Sequence, residues 1–215
     1  MQSSFPFYDQ LSTQQRIRLQ QATQRRHFTK DSILKGADDC TGLLFVLNGH
    51  LRVYTLSQEG REITLYRLLQ QDMCLFSASC AFRGVQISLC VSAQQDTDVL
   101  LINPDIYKEF MHQNLAVANY TNELMAQRFA EVMWLLEQIL DKKMDQRLAA
   151  LLLEESRINN TAILHITHDK LAAHLGTARE VVSRLLKYFK AEGFVRLTRS
   201  TIEITDFNQL EKIQE

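Results

Sequence analysis

The sequence has little of several features that define whole classes of protein. Four cysteines in 215 residues are too few for a disulfide scaffold, and a reducing compartment would keep them as thiols or metal ligands. The longest apolar runs, such as residues 148–153, are far too short to cross a bilayer. Residues 1–10 have neither the basic region nor the apolar stretch of an export signal. These absences predict a soluble, cytoplasmic, globular protein that does not associate with membranes.

The sequence also lacks the strong overall positive charge of many nucleic-acid-binding proteins, and it lacks residue patterns typical of catalysis. The net charge is −1, so any binding of nucleic acid would have to be local. A metal enzyme of the cupin type needs several histidines and a carboxylate inside its barrel, whereas His50 is the only histidine between residues 36 and 110. We find no nucleophile–base arrangement and no glycine-rich phosphate loop in the sequence. A cupin-like barrel enzyme is therefore the weaker alternative to a binding protein.

The most informative stretch is THDKLAAHLGTAREVVSRLLKYFK, residues 167–190. Its spacing predicts two short helices joined by a tight turn at Gly176, and Thr177 with Glu180 has the T-x-x-E spacing of a capping box. The outer face of the second helix carries a polar, mostly basic row formed by Arg179, Glu180, Ser183, Arg184 and Lys187. This pattern predicts a helix-turn-helix whose second helix enters the major groove of DNA, where Arg reads guanine and Glu accepts from cytosine.

A simpler interpretation is an ordinary surface helix in which Glu180 and Arg184 form an i,i+4 ion pair. The next segment favours DNA binding, because residues 194–206 alternate apolar and polar side chains around a turn at 199–201 and predict a two-stranded wing. Arg196 and Arg199 in this wing would lie along the phosphate backbone, where contacts set the register without reading sequence. Thr205 or Asp206 is expected to cap a last short helix.

The first half of the chain has a β pattern after one helix that Ser12 and Gln15 are predicted to cap. Hairpin turns are predicted at Asn48-Gly49 and Glu59-Gly60. The predicted strands are the apolar or β-branched runs at 43–47, 51–56, 62–68 and 99–102. Evenly spaced strands with such turns predict an antiparallel barrel or double-sheet roll. Asn103-Pro104 then predicts the start of a helix, with Asn at the N-cap.

Residues 115–140 predict one long helix with apolar residues at heptad spacing, which is typical of a dimer seam. The seam is predicted to include Met125, Phe129, Val132, Leu136 and Ile139. Leu124, Met133 and Trp134 lie off this seam and are predicted to pack on the β-roll. A core helix of a monomer is the alternative. The dimer is preferred because helix-turn-helix proteins commonly read two half-sites as twofold dimers.

This order of elements resembles the Crp/Fnr family of bacterial transcription regulators over essentially the whole chain, most strongly at TAREVVSR, residues 177–184. The resemblance implies an α+β fold. Its parts would be an antiparallel β-roll sensor domain like the cyclic-nucleotide-binding jelly roll at 1–114, a dimerisation helix at 115–140, and a winged helix-turn-helix at 141–215. It also implies a homodimer that binds double-stranded DNA, with RNA polymerase as a further partner.

The resemblance extends to the bases that the protein is expected to read. Family members recognise half-sites of the TGTGA or TTGAT kind with an Arg/Glu/Arg or Glu/Ser/Arg set on the second helix. Arg179, Glu180 and Arg184 match the first set. Glu180, Ser183 and Arg184 match the second. Since both sets are present, the resemblance implies a palindrome that contains the shared part, TGA…TCA.

The β-roll departs from the family pattern. Members that bind cyclic AMP carry a Gly-Glu pair for the ribose and an Arg-Ser or Arg-Thr pair for the cyclic phosphate. This sequence has Leu75-Phe76 at the first place and Ile87-Ser88 near the second. Although Arg83 is close by, the phosphate has lost its expected cation, so cyclic AMP is not the expected effector.

The β-roll also contains all four cysteines of the chain, Cys40, Cys74, Cys80 and Cys90. Three interpretations are open: the thiolates hold an iron–sulfur cluster, they sense redox or sulfur chemistry, or they fill the core as small hydrophobes. The oxygen-sensing relatives hold a cluster mostly through cysteines near the N-terminus, which has none here. The C-x5-C-x9-C spacing also lacks a tight C-x2-C pair. Haem, which one relative binds through a cassette cysteine, is a minor option because no histidine closely follows Cys74 or Cys80.

Overall fold

The computed structural model describes residues 5–35, 42–76 and 89–214, and the chain divides into two compact units. Unit 1 consists of Met1–Leu56 and Leu65–Met133, and unit 2 consists of Ser57–Thr64 and Trp134–Glu215. Within residues 5–35, 42–76 and 89–214, no helix is long and apolar enough to cross a membrane.

Unit 1 begins with a 3-10 helix (Tyr8–Gln10) and helix α1 (Thr13–Gln21). The predicted capping box is confirmed. Ser12 Oγ accepts a hydrogen bond from the Gln15 N–H at 3.2 Å, and Gln15 Oε1 accepts one from the Ser12 N–H at 3.0 Å. The two bonds satisfy backbone donors that the first turn of a helix would otherwise leave unpaired.

The β-roll is formed by two four-stranded sheets of antiparallel strands. Their orders are β1-β8-β3-β6 and β2-β7-β4-β5. The strands are β1 (Thr23–Phe28), β2 (Ile33–Lys35), β3 (Leu43–Asn48), β4 (Leu51–Leu56), β5 (Glu62–Leu68), β6 (Met73–Cys74), β7 (Cys90–Ala93) and β8 (Thr97–Ile102). The predicted double-sheet roll is therefore confirmed, and β1, β2, β6 and β7 are strands that the sequence pattern did not reveal.

The hairpin between β3 and β4 turns at Gly49, as predicted. Gly49 has a φ of +86°, and a Cβ at this position would collide with Thr97 Oγ1 and the Asp96 carbonyl oxygen. Both the backbone angle and the lack of space require glycine.

Helices α2 (Pro104–Gln113) and α3 (Leu115–Asp141) follow the roll. Asn103 caps α2 as predicted, because its Oδ1 accepts from the Asp105 N–H at 2.9 Å. The buried side chains of α3 form one stripe at helical spacing, made of Val117, Thr121, Leu124 and Arg128. Leu124 packs in the apolar cluster of unit 1, which confirms its prediction.

The prediction that Met133 and Trp134 pack on the roll is wrong. Their side chains are 39% and 57% exposed. From residue 129 to residue 141 of α3, no side chain is buried. Neither residue belongs to an apolar cluster of the described structure, so helical periodicity predicted a burial that the fold does not provide.

Arg128 is a charged residue in the buried stripe, with 3% of its surface exposed. Its guanidinium carbon lies 4.9 Å from the centre of the Tyr66 ring, and Nη1 donates to Glu131 Oε2 at 2.7 Å. Asp72 Oδ1 is 3.6 Å from Nη2. Burial lowers the pKa of Arg128, but the hydrogen bond and the charges of Glu131 and Asp72 outweigh that effect and raise it. The buried Nε and Nη2 atoms have no hydrogen-bond partner in the described structure.

From Met144 onward, unit 2 is a winged helix-turn-helix. Its elements are α4 (Met144–Asn159), β9 (Ile163–Leu164), α5 (His168–Leu175), α6 (Arg179–Ala191), β10 (Val195–Leu197), β11 (Ile202–Ile204) and α7 (Phe207–Gln214). The predicted two-stranded wing is confirmed and gains β9 as a third strand, in the order β10-β11-β9. Asp206 caps α7, since its Oδ1 accepts from the Gln209 N–H at 3.0 Å. Side chains from every helix of this list meet in one apolar core.

Candidate DNA-binding surface

The turn between α5 and α6 is fixed from both ends. Thr167 caps α5 by accepting from the Lys170 N–H at 3.2 Å, and α5 ends at Gly176, whose φ of +69° is left-handed. Arg147 of α4 donates from Nη2 to the Leu175 carbonyl oxygen at 2.9 Å, which satisfies a carbonyl that the helix end leaves unpaired. Burial lowers the pKa of Arg147.

The predicted capping box of α6 is wrong. Ala178 is the N-cap, α6 begins at Arg179, and no side chain caps it. The reason is that the Thr177 N–H donates to the Ala172 carbonyl at 3.0 Å, so Thr177 belongs to the turn that closes α5. Glu180 then stands one position too early to complete a box, and its exposed carboxylate belongs to the outer face of α6.

The apolar face of α6 holds the helix in one orientation. Val182, Leu186 and Phe189 are fully buried in the core of unit 2, and Leu185 packs against it. Ala172 of α5 is also in this core. With the inner face fixed in this way, the polar residues of α6 are presented together on the outer face.

All five α6 residues that the sequence predicted for base recognition lie together. They line one shallow concavity of about 460 Å³, made of Arg179, Glu180, Ser183, Arg184 and Lys187. Four of them are exposed and Ser183 is half-buried. Three cations against one carboxylate make this surface locally basic in a chain whose net charge is −1. An open, basic, donor-rich surface on a helix fits the requirements for contact with DNA.

Two contacts at the start of α5 were not predicted. Arg179 Nε lies 3.7 Å from Asp169 Oδ2, and both side chains are more than 60% exposed. Exposed pairs of this kind contribute at most about 1 kcal/mol, so phosphate or a base can displace Asp169. His168 Nδ1 lies 2.8 Å from Ser183 Oγ. Residues 15 positions apart on two crossing helices share no periodic pattern, so nothing in the sequence spacing pointed to this pair.

The two predicted wing residues have different surroundings. Arg196 pairs across the wing with Glu203, with Nη1 to Oε2 at 2.8 Å. Arg199 lines a second shallow concavity, of about 310 Å³, together with Arg179 and His168. The structure thus brings Arg199 to the edge of the recognition surface and ties Arg196 to a carboxylate.

Two domain families match the chain by sequence. The Crp-like helix-turn-helix domain matches residues 146–213, and the cyclic nucleotide-binding domain matches residues 25–114. The cyclic AMP receptor protein of Thermus thermophilus is 30% identical over 171 residues, which cover 80% of this chain and 78% of that protein. The transcriptional regulator SdrP of the same organism is 27% identical over 182 residues, which cover 79% of this chain and 82% of that protein.

A solved structure from Eubacterium rectale, described as a putative transcriptional regulator of the Crp/Fnr family, is 50% identical. The match covers 99% of both chains, with a TM-score of 0.95. The chain belongs to the Crp/Fnr family of transcription regulators. The predicted resemblance and fold class are therefore confirmed. Since the relatives are regulators and not enzymes, a cupin-like enzyme is excluded.

In this Crp/Fnr regulator, two of the four cysteines can be located. Cys74 and Cys90 are buried, with 1% and 3% exposure, and they lie on β6 and β7 in different sheets of the roll. Cys40 and Cys80 lie outside the described residues. Within the described ranges, no three histidine, cysteine or acidic side chains are grouped so that they could hold a metal ion.

The predicted ribose position of the regulator is apolar. Leu75 is buried with the core residues of unit 1, and Phe76 packs against a second apolar cluster. Arg83 and Ile87-Ser88, which bear on phosphate binding, lie outside the described residues. The described part of this region therefore offers a hydrophobic surface at the predicted ribose position.

The five predicted seam residues of the regulator are uncovered. Their exposures are 37% for Met125, 69% for Phe129, 37% for Val132, 45% for Leu136 and 40% for Ile139. They lie on one helix, α3, at heptad spacing, while the buried stripe of the same helix faces the interior of unit 1. Their spacing places all five side chains on one face of the helix.

Proposed function

We propose that the regulator is a homodimer that binds a palindromic DNA site containing TGA…TCA, with α6 in the major groove of each half-site. The observation that carries this proposal is the common concave surface of the five polar α6 side chains. Arg184 and Glu180 would contact bases in either family set, joined by Arg179 or by Ser183. Lys187 would add phosphate or base contacts from the next turn of the helix.

The wing supports the same assignment through its charge. Arg199 lies on the turn of the wing, at the edge of the recognition surface, and would contact a backbone phosphate. Arg196 would have to exchange its bond to Glu203 for a phosphate, so its contribution should be smaller. Arg199 is therefore the better wing residue for an experiment.

Arg184→Ala and Arg199→Ala should have different effects on DNA binding. Arg184→Ala should weaken binding to a TGA-containing palindrome by about 1–3 kcal/mol and should relax the preference for the guanine that Arg184 reads. Arg199→Ala should weaken binding to specific and random DNA alike, because phosphates are present in every sequence. Fluorescence anisotropy at one salt concentration, with the palindrome, a guanine-substituted palindrome and random DNA, measures both effects.

Lys212→Ala is the matched control, since it removes one exposed positive charge from α7, outside the recognition surface. It should leave both kinds of binding unchanged. Equal losses on specific and random DNA for both arginine variants would disprove the role assigned to Arg184.

A second copy of the chain is the partner that best fits the exposed face of α3. A heptad stripe is self-complementary about a twofold axis, and a palindrome presents two identical half-sites to such a dimer. Contiguous exposed apolar patches mark association sites in proteins. The uncovered seam thus supports a homodimer formed through α3.

For the signal, we propose that the β-roll binds a small molecule other than cyclic AMP. Two relatives are named for cyclic AMP, but here buried Leu75 and the neighbouring Phe76 occupy the position where the ribose is expected to meet a glutamate. Burial of Cys74 and Cys90 supports core packing for these two residues, because a shielded thiol reacts poorly. Both cysteines are then structural.

Iron content and the effect of oxidation on DNA affinity distinguish the three interpretations of the cysteines. We expect regulator purified without oxygen to contain no iron and no acid-labile sulfide, and its DNA affinity to change less than about twofold on mild oxidation. A brown protein that bleaches in air would instead establish an iron–sulfur cluster. A reversible loss of affinity in iron-free protein that disappears in Cys→Ser variants at 40, 74, 80 or 90 would establish thiol sensing.

The proposed function also implies a protein partner and a location for the regulator. A DNA-binding regulator of this family would influence transcription through RNA polymerase bound beside it, so we include polymerase as a protein partner. Its proposed location is the cytoplasm, where bacterial DNA is transcribed.

A further inference from the structure

Ser183 has a polar neighbour on each side. On one side it lines the recognition concavity with Arg184 and Glu180. On the other, its Oγ lies 2.8 Å from Nδ1 of His168, in the first turn of α5. Both side chains are half-buried. The hydroxyl that would face a base is therefore already held by an imidazole.

A hydroxyl has one hydrogen to donate, so its partner on one side decides what it offers on the other. If Ser183 donates its hydrogen to Nδ1, only acceptor lone pairs remain for DNA. If Nδ1 carries a hydrogen and donates it, the Ser183 O–H is available as a donor. In the major groove, adenine N6 and cytosine N4 are donors, whereas thymine O4 and guanine O6 and N7 are acceptors. The two states of the pair therefore suit different bases.

We propose that His168 is a specificity-determining residue that sets the hydrogen-bonding polarity of Ser183 and makes one base preference in each half-site depend on pH. Neutral His168 in its Nε2–H tautomer accepts at Nδ1, and Ser183 then prefers adenine or cytosine. Protonated His168 donates from Nδ1, and Ser183 then prefers thymine or guanine. This inference rests on the proposed function, since it requires α6 in the major groove.

His168 lies among charged groups. His168 lines the second concavity with charged groups from three elements: Asp169 of α5, Arg179 of α6 and Arg199 of the wing. Asp169 Oδ2 is itself 3.7 Å from Arg179 Nε, so charges of both signs surround the imidazole. Histidine is the side chain whose charge ordinarily changes between about pH 5 and 8, so pH is the variable with which to exchange the two states of the pair.

The test is base selection at two pH values. The full-length regulator is mixed with a DNA library in which each position of one half-site is varied, at about pH 5.8 and about pH 8.2 and at constant ionic strength. At one position, the preference for thymine or guanine over adenine or cytosine should rise about three- to tenfold at the lower pH, the effect of one hydrogen bond gained or lost. All other positions should keep their order of preference.

Two variants separate this mechanism from other titrations. Ser183→Ala keeps every titratable group but has no hydroxyl, so it should lose both the selectivity and the pH response at that position. His168→Gln can still bond Ser183 but does not titrate, so its preference should be the same at both pH values. Thermal unfolding of both variants checks that they fold as the wild type does.

Three results would overturn the inference. The first is a wild-type base preference that does not change with pH. The second is a pH-dependent preference that persists in Ser183→Ala. The third is a change that affects random DNA as much as the palindrome, which would make His168 a phosphate contact. A wild-type regulator that selects no palindrome at either pH would instead refute the proposed function itself, and this inference with it.

Discussion

Glutamate at both Val132 and Leu136 will convert the regulator into a monomer that has lost most of its affinity for a palindromic site. The two side chains lie one turn apart on the exposed face of α3, so a twofold dimer would bury four carboxylates against each other. Buried, unpaired like charges cost several kcal/mol. A monomer binds one half-site only, and loss of the second, linked contact should weaken palindrome binding by about 10²- to 10⁴-fold.

Sedimentation velocity measures the oligomeric state, and titration of a palindrome and a single half-site measures the binding. Gln127→Glu with Trp134→Glu is the matched control, because it adds the same charge to the same helix at exposed positions on the side away from the seam. The control should remain dimeric and bind normally. If Val132→Glu with Leu136→Glu also sediments as a dimer, the seam lies elsewhere.

Arg128→Ala should lower the free energy of unfolding by about 3 kcal/mol. The change removes the guanidinium from above the Tyr66 ring. It also leaves a cavity in the buried stripe through which α3 packs against the rest of unit 1. It also leaves Glu131 and Asp72 without their buried cation. Because both carboxylates are 32% exposed, water can compensate part of this loss, which places the expected cost at the lower end of the range for buried ion pairs.

Arg128→Met is the informative comparison. Methionine fills much of the same volume and removes Nε and Nη2, the two buried donors without a hydrogen-bond partner, so its cost should be about 1 kcal/mol or less. Urea unfolding followed by circular dichroism gives both values. Equal destabilisation by alanine and methionine would mean that charge, and not packing, holds α3 at this point.

The features that the sequence predicted correctly depend on neighbours within a few positions. The Ser12–Gln15 box and the Asn103 cap are each determined by a backbone group no more than four residues away, and the turn at Gly49 by a positive φ that glycine adopts most easily. The outer face of α6 was also predictable, because helical periodicity assigns each residue to a face. In these cases local chemistry and the final fold require the same conformation.

The features that were missed depend on contacts between distant parts of the chain. The sequence around Thr177 fits a capping box. In the structure, however, the N–H of Thr177 donates a hydrogen bond within the turn that closes α5. Short strands such as β9 bury too few residues to show a pattern. In the sequence, Arg128 has the pattern of a solvent-exposed charge, and only the fold places Tyr66 and Asp72 beside it. His168 contacts Ser183 only because α5 crosses α6. Each of these depends on packing, which periodicity does not encode.

The uncovered part of α3 has a thermodynamic consequence. Residues 129–141 are 13 residues of helix, roughly 20 Å long, with no buried side chain. A helix of about that length is only marginally stable in water without packing partners. In a single chain this segment should therefore fray and exchange its amide hydrogens quickly, and association would order it. Folding of the second half of α3 and pairing of two chains are then one equilibrium, which depends on protein concentration.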